Sequence, residues 1–169
     1  MKRLALVLGV LAAASAASAA PAARPELRIA DDIALSRPDG SAIAVKPAIR
    51  VWCGPWDDDA RARSIHVRAG ARGALWTLSA VLADVKRKPV VRFPHSFVFD
   101  KPTGAQLFAA DGRNEASTAE EESSGRMTFT KARCGRTTLD VRFKVDAVMG
   151  SEFSDGAPLR IRGSFSAHG

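Results

Sequence analysis

From residue 139 to 146, apolar and charged side chains alternate without a break. Leu139, Val141, Phe143 and Val145 fall on one side, Asp140, Arg142, Lys144 and Asp146 on the other. Only a backbone with a two-residue side-chain period sorts such a run into one apolar and one charged face, so the run is a strand with one side buried. The same habit returns in Leu159, Ile161 and Phe165 against Arg160, Arg162, Ser164 and Ser166. It is briefer in Ile49-x-Val51-x-Cys53, Ile65-x-Val67 and Met127-x-Phe129. Strands of this kind belong to antiparallel sheets that keep one face wet. Turn formers separate them, among them Pro38-Asp39-Gly40, Lys101-Pro102-Thr103-Gly104 and Ser154-Asp155-Gly156. The pattern predicts an all-β chain folded as an antiparallel β-sandwich or small barrel.

Two segments need separate treatment. Residues 74–88 carry helical steps at Leu75, Leu78, Leu82 and Val85, yet Trp76, Leu78, Ala80 and Leu82 also alternate. On that alternation we read the segment as a strand. Residues 111–125 are polar and poor in apolar groups, which reads as an exposed loop with at most a short helical turn.

The chain opens with Met1-Lys2-Arg3, an apolar run from Leu4 to Ala13, and Ala17-Ser18-Ala19. A positive start, a short apolar core and small residues before a cut are the parts of a secretory signal peptide, expected to span residues 1–19. The apolar run is too short to cross a bilayer, which takes about 20 helical residues. Residues 20–169 then form one β-rich domain, a length that buries a sizeable core. The expected location is secreted or periplasmic, with no transmembrane segment after cleavage. Loss of Lys2 and Arg3 lowers the formal charge from +7 to +5 and leaves the chain basic. An exported basic protein meets anionic polysaccharides and lipid surfaces, and no specific nucleic acid is expected.

The chain has two cysteines, Cys53 and Cys134. An even count in an oxidising compartment predicts one structural disulfide between them. Trp52-Cys53-Gly54-Pro55 resembles the thioredoxin active site over four residues, but Trp56 stands where a resolving cysteine belongs. A mixed disulfide needs a second thiol within a turn, so the resemblance implies no redox chemistry.

His66, His95 and His168 lack the spacing of a zinc pair, and no nucleophile elbow, metalloprotease helix or phosphate-cradling loop occurs. The acidic runs Asp57-Asp58-Asp59 and Glu120-Glu121-Glu122 read as solvated turns, because successive acids on extended backbone point in opposite directions. No cofactor or metal is expected. The candidate anion-binding residues are Arg142, Lys144, Arg160 and Arg162, which burial of their apolar neighbours forces outward together. The expected function is non-catalytic binding or structural association in the cell envelope or outside the cell, with an anionic glycan or lipid surface as the ligand. The alternative is a small secreted hydrolase or metal-dependent enzyme whose site forms only on folding.

Overall fold

A computed structural model describes residues 27–56, 59–71, 73–83, 92–100, 103–135 and 138–169. The expected signal peptide, residues 1–19, and the Asp57-Asp58 turn lie outside them. Twelve strands and no helix occur among the described residues: β1 (Arg28–Asp31), β2 (Ala34–Ser36), β3 (Ala42–Ile43), β4 (Ile49–Trp56), β5 (Asp59–Ala71) and β6 (Ala74–Ala83) come first. They are followed by β7 (His95–Val98), β8 (Ala105–Ala110), β9 (Glu115–Ser117), β10 (Ser124–Cys134), β11 (Leu139–Ser151) and β12 (Leu159–His168). Every pairing is antiparallel.

The strands form two layers. The first runs β3-β2-β12-β11-β10-β7, with β1 pairing β12 beyond the end of β2. The second runs β4-β5-β6-β8-β9. Strand β11 is long enough to serve both: it pairs β12 and β10 for most of its length, and its last residues, Gly150 and Ser151, pair Ser117 and Ala116 of β9. The result is an antiparallel β-sandwich, as the alternation predicts.

The inward residues of the two layers make one core. Val141, Phe143, Ile161 and Phe165 face Ile65, Val67, Trp76, Leu78 and Leu107, all buried. Register decides how the aromatic rings meet. Phe129 lies opposite Phe143, and Phe143 opposite Phe165, giving ring centroids 5.3 and 5.2 Å apart. Phe97 joins edge-on at 6.0 Å from Phe129, and Trp76 from the other sheet meets Phe165 at 6.0 Å and 85°. Each such pair adds about 0.5–1.5 kcal/mol beyond the area it buries.

Residues 74–83 are strand, with Trp76, Leu78, Ala80 and Leu82 buried, so the two-residue period governs there, while 84–88 of the expected segment lie outside the described residues. The loop expected over 111–125 is corrected in part. Residues 115–117 form β9, and Thr118 and Ser123 are buried. Polar residues can enter because their hydroxyls serve the backbone: Ser123 Oγ donates to the Ser117 carbonyl at 2.8 Å and accepts from the Gly150 N–H at 3.0 Å.

One irregularity sets the closure of the sandwich. In β10, Phe129 pairs Phe143 and Lys131 pairs Arg142, leaving Thr130 as an extra residue in a β-bulge. The bulge reverses the phase of the strand. Met127 and Phe129 point inward before it, Ala132 and Cys134 after it. Cys134 thereby meets Cys53 on β4, with S–S 2.01 Å and Cα–Cα 5.9 Å. Strand β4 pairs only β5, and the end of β10 pairs only β11, so among the described residues the disulfide joins two sheet edges that no ladder connects. Arg63 of β5 adds a bond to the Cys134 carbonyl at 3.0 Å.

Candidate functional site

Strands β11 and β12 pair directly, and this brings the four predicted cations to one solvent face. Arg142 lies opposite Ser166, Lys144 opposite Ser164, Arg162 opposite Asp146 and Arg160 opposite Val148, with all four cations exposed. They are not equivalent. Arg160 and Arg162 converge on Asp146, at 2.8 and 3.6 Å, and Arg142 lies 3.5 Å from Asp140. Lys144 has no ion pair among the described residues. The pairing acids stand on β11 on either side of its own cations, so part of the stripe is neutralised from within.

The face is wider than the sequence pattern implies, because β10 lies on the other side of β11. Its bulge and alternation turn Arg126, Lys131 and Arg133 outward, all exposed. Lys131 pairs with Asp140, and Arg126 stands opposite Asp146 in the ladder. Across the three strands seven cations (Arg126, Lys131, Arg133, Arg142, Lys144, Arg160 and Arg162) thus surround two acids, Asp140 and Asp146. Side chains on one face repeat every ~7 Å along a strand and strands lie ~4.8 Å apart, so the patch measures about 25 by 10 Å. The Asp140 carboxyl is held below its ordinary range, chiefly by the bond from Lys131, with Arg142 adding to it against partial desolvation.

A groove of about 350 Å³ opens at the margin of this face, where β1 gives way to β2. Its walls include Asp32, Thr130, Arg142, Lys144, Ser164 and Ser166. Gly163, at φ 143°, allows the crossing chain this close: a Cβ there would fall 2.5 Å from the Asp32 carbonyl oxygen. Asp32 takes the Ser164 N–H on Oδ1 and the Ser164 hydroxyl, at 3.0 Å, on Oδ2. These two bonds, with the Lys144 charge added and slight burial opposing, lower the Asp32 pKa. The groove therefore offers hydroxyls and both signs of charge to a polar ligand. Thr130, the extra residue of the bulge, contributes to its wall from β10.

Sequence pattern found the β11 and β12 cations and missed those of β10, whose neighbour is set by long-range pairing. Cys53 is bonded to Cys134, and residues 51–56 are strand, so the thioredoxin-like tetrapeptide has neither a free thiol nor a helix. His66, His95 and His168 sit on β5, β7 and β12 respectively. Among the described residues no group of three His, Cys, Asp or Glu side chains converges as metal ligands, and no helix is long and apolar enough to cross a membrane. Compared with known proteins, the chain matches no family model, no curated protein and no solved structure.

Proposed function

We propose that this is an exported, non-catalytic binding protein that attaches to an acidic polysaccharide through the outer face of β10, β11 and β12. The observation that carries the reading is the excess of seven exposed cations over two acids on three adjacent strands. Guanidinium groups present planar donors that match carboxylates and sulfates, and five of the seven are arginine. A repeating polyanion can engage several at once, which compensates for the weakness of each exposed contact at physiological salt. The signal-like N-terminus and the disulfide support an extracytoplasmic place for this activity. Retention of the protein on immobilised polygalacturonate, eluted with a salt gradient, tests the proposal. The parent is expected to bind and to elute at clearly higher salt than Arg142→Ser/Lys144→Ser. Equal elution of parent and variant, no retention, or retention only on anionic lipid vesicles would each overturn it.

A further inference from the structure

The outer face of the second sheet carries a separate feature. Arg50 stands directly opposite Arg68, and Trp52 directly opposite His66, where β4 pairs β5. Like charges facing each other across a ladder repel. Both arginines are exposed, and neither has a carboxylate within ion-pair distance among the described residues. Beside them Trp52 is 45% exposed, one of the few large apolar side chains at the surface. A hollow of about 530 Å³ is bordered by Leu27, Arg50, Trp52 and Arg68. That size falls within the ~300–1,000 Å³ of small-ligand sites.

The ring platform is fixed before any ligand arrives. Trp52 stacks on His66 with centroids 5.2 Å apart and planes 15° from parallel. The imidazole is held at both nitrogens, by Ser79 Oγ at 2.8 Å on Nδ1 and by the Pro55 carbonyl at 3.0 Å on Nε2. A carbonyl only accepts, so Nε2 carries the proton and donates. One face of the indole is thus backed by a tethered ring and the other is left for a partner, which lowers the entropy lost on binding. Register continues the row from Trp52 through His66 and Ser79 to Gln106, whose amide donates to Ser117 Oγ at 3.2 Å.

We propose that this hollow binds an acidic pyranose, its ring lying on Trp52 and its carboxylate bridging Arg50 and Arg68. Arg50 and Trp52 are two residues apart on one strand face, about 7 Å, so one sugar with its acid group spans them. A bridging carboxylate converts the repulsion of the two guanidiniums into paired, charge-assisted hydrogen bonds. A single platform favours a sugar over single-stranded nucleic acid, which is gripped by a succession of aromatic rings. The site lies on the other sheet and does not depend on the cationic face proposed above.

Calorimetric titration of the exported protein with trigalacturonate tests this, in parallel with maltotriose, sodium sulfate and oligothymidylate. Trigalacturonate is expected to bind, maltotriose and sulfate at least about tenfold more weakly, a gap of roughly 1.4 kcal/mol. Trp52→Ala and the double change Arg50→Gln/Arg68→Gln should each weaken binding by about tenfold or more, while Trp52→Phe keeps most of it. The loss caused by Trp52→Ala should be of the same size in the Arg142→Ser/Lys144→Ser background, which separates this hollow from the cationic face. No binding of trigalacturonate, unchanged binding by Trp52→Ala, equal binding of sulfate, or tighter binding of oligothymidylate would each overturn the assignment.

Discussion

Arg37, in the turn after β2 of the first sheet, donates from Nε to Asp111 Oδ2 at 2.8 Å, and Asp111 follows β8 of the second sheet. The Asp111 side chain is fully buried while Arg37 remains about one-third exposed. Oδ1 of the same carboxylate accepts the N–H groups of Arg113 and Asn114 at 2.9 and 2.8 Å. One carboxylate therefore holds its own turn and ties the two layers together.

This contact predicts an acid-sensitive contribution to stability. Burial alone would raise the Asp111 pKa, but the bonds from Asn114, Arg113 and Arg37 outweigh it and hold the group below its ordinary 3.8. A depressed carboxyl contributes stability that is present above the unfolded-state pKa and is lost as pH falls through the folded one. Asp111→Asn should cost about 1.5–3 kcal/mol at pH 7, the range for hydrogen bonds to a charged group. Urea unfolding of parent and variant at pH 7 and in steps below pH 4 checks this. The gap should shrink towards zero with acid, and a constant gap would show that the ionised form has no special role.

The disulfide closes a loop between residues 81 apart in sequence. In the chain-entropy model such a loop is worth about 4–5 kcal/mol, before unfolded-state structure reduces it. The variant Cys53→Ser/Cys134→Ser should unfold at markedly lower denaturant than the parent, and reduction of the parent should lower its midpoint similarly. Because the bond joins two sheet edges, amide exchange should rise first along β4 and the end of β10. Uniform loosening of both sheets would argue against a constraint localised at those two edges.

Phe143 sits between Phe129 and Phe165 at the centre of the ring ladder and is 2% exposed. Phe143→Ala should destabilise by about 3–5 kcal/mol, from lost transfer energy and the cavity left behind. Phe143→Leu should cost clearly less. Chemical denaturation of the three proteins gives the comparison, and a loss below about 1 kcal/mol for alanine would mean that the two sheets collapse onto the vacancy.

The sequence by itself determined the strand character of the longest alternating runs and which side of each run is buried. Leu139 to Asp146 and Leu159 to Ser166 could satisfy their apolar residues only as half-buried strands, because that constraint acts between neighbours two positions apart. The count of two cysteines in a chain with a signal-like start likewise fixed the pairing of Cys53 with Cys134. Which strands lie side by side was left to the tertiary structure. Alternation from Met127 and Phe129 runs on to Lys131 and Arg133, which would turn Cys134 outward; the extra residue at Thr130 reverses that phase. A bulge is placed by the partner strand's register and by the core it covers, and neither is written in the local period. The three β10 cations beside the predicted four, and Arg50 facing Arg68 beside Trp52, have the same origin. Local pattern assigns a side chain to a face, and only long-range pairing decides its neighbours on that face.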